Sequence, residues 1–180
     1  SASVTVMISP LPAATVSGAA ICSGQNATLT ASGGVNYSWI SGGQTTSVIS
    51  STLTSTSTFT VIVSMGICSD TATATVLVNP IPIVTAWSDT IITIGNSTTL
   101  ASSGGVSYLW NNGVNTQTLT VSPLVTTIYC VTVTDTNGCI NSDTVSVFVN
   151  PLPNADAGQD IQICLGDSAA LEASGGKTYA

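Results

Sequence analysis

Few residues in this chain could do chemistry. It holds seven aspartates, Glu172 and five cysteines, with no histidine and no arginine. Without an imidazole, neither a Ser-His-Asp nor a Cys-His nucleophilic arrangement can be built. A pair of carboxylates could in principle hydrolyse a glycosidic bond. The aspartates, however, stand beside turns or at strand starts, where a carboxylate serves the backbone. The chain is therefore read as a non-enzyme. Asp135-Thr136-Asn137-Gly138, with Asp143 downstream, could offer oxygens to a calcium ion. That stretch lacks the spacing and acid count of a helix–loop–helix calcium site, and Asn-Gly is a standard hairpin turn. The turn is the favoured reading, and no metal or other cofactor is expected. Five cysteines without histidine or a CxxC pair point to disulfides and an oxidising compartment. The alternative is buried thiols in a cytosolic protein.

Charge narrows the partners. Charged residues make up 5% of the 180 residues, with a net charge of −7 and Lys177 as the sole basic side chain. Ordinary soluble domains carry roughly 25%. A phosphate-binding surface needs clustered Lys and Arg, so nucleic acid is excluded as a partner, and an anionic membrane surface with it. Although 43% of the residues are hydrophobic, no run approaches the roughly 18 apolar residues of a membrane span. Membrane insertion is not expected. No signal peptide is visible; since the chain opens inside a repeat, nothing follows from that.

The elements that must position these residues recur. Gly104-Gly105-Val106-Ser107-Tyr108-Leu109-Trp110 matches Gly33-Gly34-Val35-Asn36-Tyr37-Ser38-Trp39, and Gly175-Gly176-Lys177-Thr178-Tyr179 opens it a third time. The tyrosines are evenly spaced (108 − 37 = 71; 179 − 108 = 71). A fixed period of this kind marks an array of one supersecondary unit. Pro10-Leu11-Pro12, Pro80-Ile81-Pro82 and Pro151-Leu152-Pro153 recur at nearly the same period (80 − 10 = 70; 151 − 80 = 71). Proline ends a ladder and fixes φ, so each trio closes one unit and stiffens the step to the next. The expected organisation is 1–12, the last strand of a preceding repeat; 13–80, repeat one; 81–151, repeat two; and 152–180, the first part of a third. The two end pieces do not together make a whole sandwich, so the chain is expected to be a window on a longer polypeptide.

Within repeat one the expected strands are 26–30, 35–39, 46–49, 59–63 and 71–78. Repeat two gives 97–101, 106–110, 117–121, 128–133 and 144–149. Residues 1–9 alternate in the same way. No segment shows helical periodicity. Six or seven short β-branched strands per repeat at regular turn spacing predict an all-β chain of tandem immunoglobulin-like antiparallel sandwiches, arranged as a rod. Val35, Tyr37 and Trp39 fall on one strand face, and Trp39 and Trp110 suit the inward tryptophan that pins such a core. Tyr37 and Tyr108 join that core. Tyr129 sits where a tyrosine corner would place its hydroxyl, and Phe59, its counterpart, lacks one. These aromatics could instead form a sugar-stacking platform, but their spacing favours packing. Trp87 is the candidate for an exposed aromatic in one repeat alone.

Cysteines follow the repeat. Cys22 and Cys164 are two periods apart, and Cys68 and Cys139 one. Cys22–Cys68 is the expected bridge of repeat one. Thr93 stands where repeat two should have its first cysteine, so Cys130–Cys139 is read as a replacement. Cys164 is expected to find a partner near position 210.

The segment Ile21 to Trp39, with its IC-x-G-x-x-x-x-L-x-ASGG-x-x-Y-x-W pattern, together with TVTDTNGC and NPLP, resembles the immunoglobulin-like or PKD-like repeats of long secreted surface proteins of Bacteroidota. These include gliding adhesins and proteins exported by the type IX pathway. The resemblance covers essentially the whole chain and implies a stalk or filament outside the cell. It also implies O-glycans at Asp-Ser/Thr followed by a small or aliphatic residue. Thr71, Thr90, Thr144 and Ser168 match; Thr136 does not. Outward Thr and Ser in place of edge charges imply lateral association or a hydrophilic cover. The expected partners are neighbouring repeats, identical chains in a fibre, and covalent glycans. The expected role is a structural segment of an extracellular or cell-surface fibre or adhesin stalk. A carbohydrate- or cell-adhesive module, and a spacer on a secreted enzyme, are the rivals.

Overall fold

The computed structural model describes residues 3–176. Lys177 and Tyr179, the third tyrosine of the period, lie outside them. The described residues form fourteen strands and no helix. Repeat one supplies β1 (Thr15–Val16), β2 (Ala19–Cys22), β3 (Asn26–Ser32), β4 (Asn36–Trp39), β5 (Val48–Thr52), β6 (Ser57–Met65) and β7 (Cys68–Asn79). Repeat two supplies β8 (Thr85–Ala86), β9 (Thr90–Thr93), β10 (Thr98–Ser103), β11 (Ser107–Trp110), β12 (Thr118–Val121), β13 (Thr127–Thr134) and β14 (Ile140–Asn150).

Each set closes its own ladders. The first has sheets ordered β1-β3-β5 and β2-β7-β6-β4; the second has β12-β10-β8 and β11-β13-β14-β9. These are two immunoglobulin-like sandwiches of one topology. In both, the opening strand is split: β1 pairs antiparallel with β3 in one sheet, while β2 pairs parallel with β7 in the other. The parallel pair recurs as β9 with β14. Gly18 permits the crossing between sheets, because a β-carbon there would lie 2.8 Å from the Thr75 carbonyl oxygen.

Alternation builds the core. In β3 the residues Ala27, Leu29 and Ala31 are buried while the Asn, Thr and Ser between them face out, as period-two geometry demands. They pack with Trp39, Ile49, Phe59, Val61, Val63 and Val76. The second sandwich buries Leu100, Trp110, Leu119, Val131, Val133, Val145 and Val147. Gly33 and Gly104 hold φ at 105° and 114°, in the left-handed region. Added β-carbons would meet the carbonyl oxygens of Ala13 and Ile83 at 1.9 and 2.2 Å. The repeated Gly-Gly turn therefore marks where the incoming chain crosses directly over it.

The chain divides into two compact units: Ser1–Val84 with Gly104–Tyr108 and Thr132–Ser142, and Thr85–Ser103 with Leu109–Val131 and Asp143–Ala180. The turn between β13 and β14 thus belongs to the first unit. An isolated antiparallel bridge, Asp156 to Ser174, stands 71 residues after the Thr85–Ser103 pair.

Two expectations are corrected. Residues 3–9 lie in no strand, and their alternating apolar side chains are exposed, Ile8 at 92%. Val35 is exposed and lies before β4, leaving Tyr37 and Trp39 as that strand's inward face.

Sheet edges are protected by brevity rather than charge. Edge strands β1, β2, β4 and β5 are two to five residues long, whereas interior β6 and β7 have nine and twelve. A short edge offers little template for pairing with another chain.

Candidate functional site

The aromatic residues act on the core. Trp39 and Trp110 are each 1% exposed. Their indole N–H groups donate to the carbonyls of Thr46 and Thr116, both at 2.9 Å, which satisfies the single polar atom a buried tryptophan carries. The hydroxyls of Tyr37 and Tyr108 donate to the carbonyls of Gly34 and Gly105, again at 2.9 Å. These bonds brace the Gly-Gly turns. They also correct the corner assignment: the tyrosine-to-backbone bond belongs to Tyr37 and Tyr108, not to half-buried Tyr129. A hydroxyl three residues beyond its acceptor can fold back across the Gly-Gly turn.

The carboxylates serve backbone amides. Asp70 accepts from Ala14 N at 2.9 Å and Thr71 N at 2.8 Å. The Ala14 bond first, then the Thr71 bond, hold its carboxyl below the ordinary aspartate range. Asp143 accepts from Ala86 and Thr144, Asp89 from Ser146. One oxygen of Asp135 accepts from Asn137 N and Cys139 N, both at 2.8 Å. That is the hydrogen bonding of an Asx turn, with Gly138 at a φ of 80°.

The cysteines depart from expectation. Cys22 is bonded to Cys139, with Cα atoms 5.6 Å apart and a sequence separation of 117. Cys68, Cys130 and Cys164 are free thiols. The parallel ladder explains why Cys22–Cys68 does not form. Cys22 lies in register with Asn79, the last residue of β7, and Cys68 is the first residue of that strand. Eleven residues at about 3.3 Å each put the two roughly 35 Å apart. Cys130–Cys139 fails on register as well. Asp135 donates to the Cys139 carbonyl, so Cys130 lies five residues further down β13, roughly 16 Å from the position opposite Cys139. The bond that exists runs from the end of β2 in one repeat to the β13–β14 turn of the next.

The outward hydroxyls pair across strands. Thr15 with Ser32, Thr28 with Ser50, Thr58 with Thr75 and Thr99 with Thr120 are register partners whose hydroxyls lie 2.6 to 3.5 Å apart. Each such pair contributes roughly 0.2–1 kcal/mol. Much of the Thr-rich surface is thus a ladder of hydroxyls. Of the candidate glycan acceptors, Thr71, Thr144 and Ser168 are exposed and Thr90, at the start of β9, is half-buried.

Trp87 is the exception among the tryptophans, 64% exposed. It borders a cleft of about 430 Å³ with Asp89, Thr90, Thr98 and Thr99 among the lining residues. Repeat one has Val16 at the equivalent place (87 − 71 = 16).

No family model matches the chain, and no curated protein matches it. Solved structures give weak similarities. One is to titin domains Z1Z2, from a complex with telethonin, at 16% identity over 81% of this chain and 99% of that one, TM-score 0.35. Another is to DIP-gamma IG1+IG2, at 13% over 78% and 98%, TM-score 0.37. Extracellular domains 3–5 of Drosophila OTK give 11% over 79% and 61%, TM-score 0.43. Scores at this level add no argument of their own. The tandem-sandwich assignment rests on the strand pairings.

Proposed function

We propose that the chain is a structural segment of an extracellular or cell-surface fibre or adhesin stalk, with no catalytic role of its own. The observation that carries this reading is the Cys22–Cys139 bond. A disulfide persists in an oxidising compartment. This one ties successive copies of a repeat rather than stapling either core, which suits a protein whose task is to keep repeats in line. The described carboxylates with resolved partners support the backbone, and the tryptophans Trp39 and Trp110 are consumed by the core. In a fibre the partners are adjoining repeats and identical chains. O-glycans at Thr71, Thr90, Thr144 and Ser168 would add a hydrated cover. Differential alkylation tests the reading. Source cells quenched with an alkylating agent should yield Cys22 and Cys139 unmodified until reduction, and antibodies to the chain should label the cell surface. Alkylation of both before reduction, or labelling confined to the cytoplasm, overturns it.

A second reading, a carbohydrate-adhesive module, is favoured by one observation, the exposed Trp87 beside Asp89 and the Thr hydroxyls. A sugar ring stacking there should quench or shift its fluorescence, and Trp87→Ala should abolish the response. Unchanged emission across an oligosaccharide panel removes this reading.

A further inference from the structure

Trp87 and Asp89 are not required by the fold that carries them. One period earlier their places are taken by Val16 and Gly18 (87 − 71 = 16; 89 − 71 = 18). Repeat one nevertheless closes two sheets of the same order. An aspartate could not replace Gly18 without moving the backbone, since a β-carbon there would lie 2.8 Å from the Thr75 carbonyl oxygen. In repeat two the matching place admits a whole side chain, and Asp89 Oδ1 accepts from the Ser146 amide at 2.7 Å. That bond engages one carboxylate oxygen. The other has no hydrogen-bond partner among the described residues.

Both side chains line one cleft, inside a single compact unit. Its volume of about 430 Å³ falls in the range of roughly 300–1,000 Å³ of small-ligand clefts. Trp87 presents an aromatic face, Leu100 adds apolar surface, and Thr90, Thr98 and Thr99 bring hydroxyls. Among the lining residues Asp89 alone is charged.

This set of groups restricts the ligand. A sugar ring can lay its C–H face on the indole while its hydroxyls meet the threonines. The open carboxylate oxygen calls for a cation, and an ammonium beside an indole also gains cation–π attraction. With a net charge of −7, the chain attracts cations and repels carboxylated sugars. A peptide would dock by adding a strand to the adjoining sheet edge. That edge is β8, whose two residues offer too little ladder.

We propose that the cleft is specific for amino sugars, as in a glucosamine polymer with free, protonated amines. The ring lies on Trp87 and the ammonium meets the second oxygen of Asp89. This deepens the carbohydrate-adhesive reading and rests on it. An N-acetylated unit stacks equally well but leaves the carboxylate unpaired, and a uronic acid unit is repelled. Thr90 lines the cleft, so it carries no covalent glycan in this arrangement.

The test titrates the purified, unglycosylated 180-residue chain in mildly acidic, low-salt buffer, following tryptophan fluorescence and calorimetric heat. The probes are tetramers of glucosamine, N-acetylglucosamine, glucose and galacturonic acid, with tetralysine as the peptide control. The glucosamine tetramer should bind about three- to thirty-fold tighter than its acetylated form, from one exposed ion pair and one cation–π contact. Added salt should shrink that advantage and leave the acetylated form unaffected. Asp89→Asn keeps an oxygen for the Ser146 amide and should equalise the two sugars. Trp87→Ala should remove the heat as well as the emission change, with Trp39 and Trp110 reporting an intact core. Equal binding of the acetylated or glucose tetramer, or a preference that survives Asp89→Asn, overturns this inference and leaves the sugar reading standing. Tetralysine binding as tightly as the amino sugar, or native chain bearing a glycan on Thr90, overturns it too. If no tetramer gives heat or an emission change, both fall.

Discussion

Ser102 shows how finely the two sandwiches differ at a single position. It is 3% exposed and its hydroxyl has no hydrogen-bond partner. One period earlier stands Ala31, buried in the same strand position. A buried hydroxyl without a partner costs about 1–3 kcal/mol. Ser102→Ala should therefore stabilise the second sandwich by about 1 kcal/mol, read as a raised denaturation midpoint with an unchanged slope. Asp70 gives a pH-dependent counterpart. Its carboxyl is held below its unfolded value by the amides of Ala14 and Thr71. A depressed carboxylate contributes stability that is present above its unfolded pKa, about 3.9, and lost as pH falls through the folded one. The wild type should lose stability in acid below about pH 4, and Asp70→Asn should flatten that dependence. Denaturation midpoints measured from pH 6 down to pH 2.5 for both proteins check it.

At the level of strands, legibility follows length. The interior strands β3, β6 and β7 and their counterparts carry enough alternating residues to be seen in the sequence, and the Trp39 and Trp110 faces with them. The split opening strands were not legible. Two residues of β1 and four of β2 hold too little period-two signal, and nothing local says that Ser17-Gly18 crosses between sheets. The cysteine pairing was lost for the same reason. The period identified Cys68 and Cys139 as equivalents, but the parallel run of β2 along β7 decides which end of the sandwich Cys22 occupies. Tyr129 was misassigned because a hydroxyl in the right strand is not enough; the acceptor must come from a turn, and the Gly-Gly turns supply it to Tyr37 and Tyr108. The Cys22–Cys139 loop has its own consequence. Closing 117 residues removes denatured-state entropy worth about 4–5 kcal/mol in the chain-entropy picture. Cys139→Ser should lower thermal stability measurably, and reduction of the wild type should reproduce the effect. Reduced wild type that unfolds at the oxidised temperature would contradict it.

For the whole molecule, the charge-poor surface reads differently once the ladders are known. The edges are short, and outward hydroxyls bond across strands. Sugars at Thr71, Thr90, Thr144 or Ser168 would add mass to native peptides, and unmodified masses at all four would leave fibre contacts as the reason for this surface.

The Cys22–Cys139 bond also sets the route of tension. When the chain is pulled from its ends, load that reaches Cys22 passes through the sulfur bridge to Cys139 and bypasses everything between. The span of 117 residues is then slack. Both tryptophan cores, the Gly33-Gly34 and Gly104-Gly105 turns and most of the interior strands lie inside it. At about 3.5 Å per extended residue, roughly 400 Å of contour is withheld. Single molecules stretched in oxidising buffer should not release that length, and the same molecules in a reducing buffer should. Equal extension in both would show that the bridge carries no load. A thiol in the surroundings would thus act as a release catch, turning an inextensible tether into one that can lengthen before it breaks.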